Sequence, residues 1–278
     1  MNRRTGIRLG LASAAAIAGV AIAVVAPWSA GASSPTAGRE AGVRSHPDRA
    51  LAAAARTLPL APDPALTPVP IPALAQPASV QLTQVQLPIS YHSQQTGDWC
   101  DPADIEMWLQ ADGVGMAGLD DYGIQERFWN YELANNDGYT LSQWNASPYA
   151  VAVTLDHFSG WEDIGDEPQP TVDAAGVVIS YSLDVLQQPV IVMVGGGVHY
   201  VLVTGVTLGP GGDDAPPVAV TVDDPLAYGV ASGPPAGTSA SQEMSWDDFT
   251  DWYTPNVNHG GIWANQYVLI AAGIPLAG

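Results

Sequence analysis

The chain has 278 residues, a formal net charge of −20, an isoelectric point near 4.1 and 47% apolar residues. It contains no Lys, and beyond Arg56 its only Arg is Arg127. Such an excess of Asp and Glu repels phosphate backbones, which argues against nucleic acid and anionic membrane surfaces as partners. It fits solubility in an acidic or salty exterior and, more sharply, a preference for cationic peptides.

Arg3, Arg4 and Arg8 precede an apolar run from Leu9 to Ala26, the order of an export signal. Ala30-Gly31-Ala32 supplies a small-x-small site, so a signal peptide is placed at 1–32 with cleavage after Ala32. The rival is an uncleaved anchor, because about 18 apolar residues lie at the lower limit for a bilayer span. Either reading puts the protein outside the cell, secreted or tethered to the surface, with the membrane reached only through that segment. Residues 33–85 are rich in Ala and Pro, as in Pro68-Val69-Pro70-Ile71-Pro72, with no sustained period, and read as a linker. Residues 86–278 have the length and apolar content for one domain, a monomer by default.

Cys100 is the only cysteine, so no intramolecular disulfide is available. Leu87–His92 reads as a short extended segment and Gln94–Trp99 as a polar turn. Pro102–Leu109 reads as a helix, with Pro in its first turn and Ile105, Trp108 and Leu109 at helical spacing. Cys100 then sits at a helix amino terminus, where free N–H groups favour thiolate. For an isolated cysteine, a small buried hydrophobe is the commoner role.

Further along, Pro189–Val194 is a continuous apolar run, followed by Gly195-Gly196-Gly197 and then by His199–Val206, apolar on both faces. They read as central buried strands joined by a tight turn, with His199 on the face of Val201 and Val203. Val218–Asp223 alternates as another strand that ends at Asp224-Pro225, where proline holds the preceding residue extended. Trp246–Tyr253 reads as an amphipathic helical turn and Tyr267–Ala271 as a closing strand. Taken singly, a lone His on a strand is as often structural as functional, and an Asp pair before Pro is usually a turn signal.

The blocks Tyr91-His92-Ser93-Gln94, Cys100-Asp101-Pro102-Ala103 with Met107, Gly197-Val198-His199-Tyr200-Val201-Leu202-Val203-Thr204-Gly205 and Asp224-Pro225 resemble, in this order, the C39-like papain-like cysteine peptidases. The resemblance covers the domain from Leu87 onward. It implies an α+β papain-like fold in which a helix bearing the Cys packs on an antiparallel sheet bearing the His and Asp. It implies that Cys100 is the nucleophile, His199 the base and Asp224 its orienter. Gln94 would be the oxyanion-hole donor, with Gln95 as fallback and Asp223, facing the other way, as control. The implied function is a secreted cysteine hydrolase acting on a peptide or protein substrate.

One residue departs from the family. Asp101 stands where Gly is usual, and with Asp98 and Asp104 it surrounds the sulfur with negative charge, which raises a thiol's pKa; the same groups kept neutral in an acidic exterior would matter less, which points to an optimum below neutrality. Asp101 could also fill the subsite that Gly leaves open, which makes a noncatalytic extracellular peptide-binding module the alternative. A purely structural surface domain follows if Gln94, His199 and Asp224 do not converge on Cys100. No Gly-x-Ser-x-Gly elbow or His-Glu-x-x-His helix occurs. No cofactor and no metal is expected: Asp120-Asp121 and Asn135–Gly138 lack the spacing of a calcium loop.

Overall fold

The computed structural model describes residues 81–161 and 163–274. The export segment, and the linker up to residue 80, lie outside the described residues. In chain order the elements are β1 (Thr83–Gln86), α1 (Cys100–Ala111), α2 (Asp121–Ala134), α3 (Pro148–Ser159), β2 (Ile164–Gly165) and α4 (Val172–Tyr181). A wide turn at Ser182–Leu186 leads to β3 (Val190–Val194), β4 (His199–Leu208), β5 (Ala219–Asp223), β6 (Gln242–Ser245), α5 (Trp246–Trp252) and β7 (Leu269–Ala272).

The strands form one antiparallel sheet in the order β2-β7-β3-β4-β5-β6, and β1 pairs with the far half of β4. Thr83 faces Leu208 and Gln86 faces Gly205, so the sheet includes residues just ahead of Gln86. The fold is therefore a mixture of helices and an antiparallel sheet, as the sequence led one to expect.

All five residues of β3 are buried, because helices cover both faces of the sheet. Ile191 and Met193 of β3, with Tyr200 and Leu202 of β4, meet Ile105, Met107 and Trp108 of α1 and Phe128 of α2. The alternate residues Val190, Val192, Val194, Val201 and Val203 meet Ala175 and Ile179 of α4 and Phe249 of α5. Period-two alternation thus assigns the strands' side chains to two cores.

The turn between β3 and β4 decides where His199 stands. Gly195, Gly196 and Gly197 all have positive φ, reaching 103° at Gly197, where a Cβ would collide with the Asn256 side chain. No L side chain fits this turn without strain. It seats His199 opposite Val194, at the first residue of β4 and the end of the sheet.

Candidate active site

Cys100 is the first residue of α1, and no side chain caps that helix. The sulfur is 8% exposed by residue and lies in the core shared by α1 and Tyr200. Burial pushes its pKa well up and Asp101 pushes it further; the Tyr200 N–H pulls it back, Asp104 raises it, and the Asp101 N–H lowers it. The helix-terminal preference for thiolate is thus outweighed by desolvation and by the neighbouring carboxylate. Asp98 in turn raises Asp101. The thiol gives its hydrogen bond to Asp101 Oδ1 at 3.8 Å.

Asp101 is itself buried, and burial pushes its carboxyl up to about 7. Its partner is Glu132 of α2, fully buried and raised well above the carboxylate range by burial and by the Asp101 charge. Glu132 receives no N–H from elsewhere. Facing each other away from water, the two carboxyls favour the form in which Glu132 keeps its proton, which can then serve both groups.

His199 Nε2 and Asp224 Oδ1 are 2.8 Å apart, and Asp224 Oδ1 also accepts the Leu226 N–H at 2.8 Å. The Asp224 carbonyl accepts from the Tyr91 hydroxyl at 3.1 Å and from the Ala227 N–H at 3.0 Å. The carboxylate is thus held by its own turn after β5, and as an acceptor it puts a proton on Nε2. In the neutral form of the ring, Nδ1 then carries the lone pair. On the other flank, the Trp252 ring of α5 stands 6.4 Å from the imidazole, centre to centre.

Cys100, His199, Gly197, Tyr200 and Met193 line one cleft with Trp144, Asn145, Ala146, Val198 and His259; its volume is about 50 Å³. That is room for a water or a carbonyl group, not for a bulky side chain. A larger hollow of about 470 Å³, between α1 and α2, shares no lining residue with it.

Gln94 is buried, but it is not a lining residue of this cleft. Its Nε2 donates to the Thr96 carbonyl at 2.8 Å, which leaves a second N–H on the amide, and its Oε1 is buried without a donor. Its backbone is tied to the loop beyond Asp224, through Pro225 O at 3.0 Å and the Ala231 N–H at 2.8 Å. The Gln95 amide turns back to Ser93 O at 3.0 Å. Asp223 is buried, and burial raises its carboxyl while Ser241 pulls it back.

No family model matches the chain, and no curated protein matches it. One solved structure, described as "a double glycine motif protease from AMS/PCAT transporter in complex with the leader peptide", overlaps 68% of this chain and 94% of its own at 10% identity, with a TM-score of 0.39. A likeness that low carries no weight for fold or function.

Sequence reasoning missed four cleft residues, Trp144, Asn145, Ala146 and His259, and one support. The His259 ring stacks on Trp144 with centroids 3.9 Å apart, and its Nδ1 lies 2.9 Å from Gln143 O. With Asn145 and Ala146 they line the cleft. The support is Gln125 of α2, wholly buried, which accepts the Gln95 N–H at 2.8 Å and donates to Ser93 O at 3.0 Å, bracketing Gln94. These residues sit in segments without a local motif. Only the folding of α2 and of the 256–259 loop onto the site reveals them.

Proposed function

We propose that this protein is a cysteine hydrolase of the C39-like, papain-like type that acts on peptide bonds. The observation that carries the reading is the 2.8 Å pair of His199 Nε2 and Asp224 Oδ1, made by a histidine that lines the same cleft as Cys100. Such a ring can take the thiol proton at Nδ1 and keep its geometry while charged, since Asp224 stabilises the imidazolium. The sulfur then attacks the carbonyl carbon, and the tetrahedral oxyanion needs donors. Gln94 is proposed as one, through the N–H that Thr96 does not take, on rotation of the amide toward the cleft when substrate enters. His199 returns the proton to the leaving amine, and water releases the acyl group.

The charge of −20 supports a cationic peptide as substrate, and the arginine-led apolar segment supports export, with the protein secreted or held at the cell surface. Turnover of an unbiased peptide library by the wild type, absent in Cys100→Ala and in His199→Ala, is the expected result.

A second reading is a noncatalytic peptide-binding module, favoured by the thiol's hydrogen bond to Asp101 in place of the imidazole. The rate of Cys100 alkylation against pH separates the two. Rapid labelling that depends on His199 below the free-thiol pKa of about 8.5 supports the hydrolase. Slow labelling indifferent to His199, with retained peptide binding, supports the module.

A further inference from the structure

We propose that His92, Glu106 and Asp121 form a site for one divalent transition-metal ion of the zinc type, which ties the segment before Cys100 to α1 and α2. This inference does not rest on the hydrolase reading. His92 Nδ1 lies 3.4 Å from Glu106 Oε1 and 3.2 Å from Asp121 Oδ2, and the three ligand atoms lie within 4.8 Å of one another. Ligands bound at about 2.0–2.1 Å in a tetrahedron stand ~3.3 Å apart, so both imidazole-to-carboxylate separations already suit zinc.

The hydrogen bonds around the cluster point the same way. His92 Nε2 is 2.8 Å from Gln110 Oε1, and the Gln110 Nε2 donates to Glu106 Oε1 at 3.2 Å, which fixes how the amide is turned. An amide oxygen only accepts, so Nε2 carries a proton, and the neutral ring then presents the Nδ1 lone pair to the cluster. That Nδ1 is a buried atom with no hydrogen-bond donor, aimed between two carboxylate oxygens. One imidazole nitrogen and two carboxylate oxygens converge there, an arrangement that a cation at its centre satisfies. A proton on Nδ1 would leave one net negative charge among the three side chains, whereas a divalent ion balances them.

The supporting groups are those of a built metal site. The His ligand gives its other N–H to a carbonyl oxygen, and Glu106, fully buried in its side chain, has its second oxygen held by Gln125 Nε2 at 2.8 Å. The Asp121 side chain is 45% exposed, which leaves an open side for a water as fourth ligand. An imidazole with two carboxylates suits zinc-type ions and not calcium or magnesium, which prefer oxygen alone. The Gln125 amide that steadies Glu106 also holds Ser93 O, so metal binding would stiffen the turn that carries Gln94.

The test is zinc titration of the full-length chain after chelation, read by calorimetry and by thermal melting. One equivalent of zinc is expected, with a raised Tm, and calcium at the same concentration does neither. Affinity falls at least tenfold in Asp121→Asn and in His92→Ala, and the exposed Asp121→Asn keeps the metal-free Tm. Zinc can also bind a Cys–His pair, so the double variant Cys100→Ala, His199→Ala is expected to keep its one equivalent. The proposal is overturned if zinc uptake vanishes in that double variant and survives in His92→Ala. It is equally overturned if the wild type takes up no zinc and His92 titrates by NMR as an imidazolium between the two carboxylates.

Discussion

Asp101 Oδ1 accepts the hydrogen bond of the adjacent Cys100 thiol at 3.8 Å, and both residues are buried. A carboxylate there opposes ionisation of the sulfur, so Asp101→Gly should lower the thiol pKa and speed alkylation near neutrality. One unit of pKa corresponds to about tenfold more thiolate below that pKa. Iodoacetamide kinetics against pH measure it, and an unchanged or higher pKa in the variant would refute the electrostatic account.

The two aspartates that end β5 should behave oppositely. Asp224→Ala removes the acceptor of His199 Nε2 and is expected to lower peptide turnover by roughly 100-fold or more. Asp223→Asn replaces a buried carboxyl that burial already drives toward its neutral form, and is expected to leave turnover within about twofold. Equal losses from both would mean that Asp224 only supports the turn.

Folding should be strongest in acid. Asp101 is raised to about 7 and Glu132 well above its ordinary range by burial, whereas both titrate near ~4 when unfolded. Because the folded state binds these protons more tightly, their contribution is fully present below about pH 4 and is lost as pH rises, through about 7 for Asp101 and beyond the ordinary carboxylate range for Glu132. The slope is about 1.4 kcal/mol per pH unit for each proton in that window. Urea melts should show the midpoint falling as pH rises, and the double variant Asp101→Asn, Glu132→Gln should flatten the trend. A wild-type midpoint that climbs toward neutrality would contradict the shared-proton arrangement.

Gln94 and Gln125 should separate in kinetics. Gln94→Ala is expected to lower kcat by about 10²- to 10³-fold with little change in KM, the signature of a donor used in the transition state. Gln125→Ala frees Ser93 and Gln95 without touching substrate, and should affect KM and thermal stability as well as kcat. Gln95→Ala, whose amide folds back on Ser93, serves as control.

β3, β4, β5 and α1 were legible because unbroken apolar strings and an early proline speak locally. The pairing of His199 with Asp224 was foreshadowed only by the ordered motifs. Strand alternation correctly grouped Val201 with Val203, and these face the core of α4 and α5, while Cys100 shares the other core with Tyr200. His199 joins the cleft with Cys100 because it stands at the strand's first residue, at the sheet end. Nothing in the sequence reading marked α4, whose Val172, Val177, Val178 and Ile179 are β-branched and favour strand locally. Packing settles it as a helix: Thr171 caps it through the Ala174 N–H, and Gly176 lets Trp246 and Pro216 approach closely. The wall formed by Trp144 and His259 joins residues from distant loops, and no local pattern encodes that contact.

The pairing of β1 with β4 gives the domain a mechanical character. Thr83–Gln86 runs along Gly205–Leu208, and the Leu87 N–H adds a bond to Thr204 O at 2.9 Å, just ahead of the turn that leads to Cys100. A pull on the chain before Thr83 is therefore met first by a short ladder of backbone bonds to a central strand. Those bonds act as a strain relief, so that tension from whatever the amino-terminal part holds is spent on the sheet and not on the cleft.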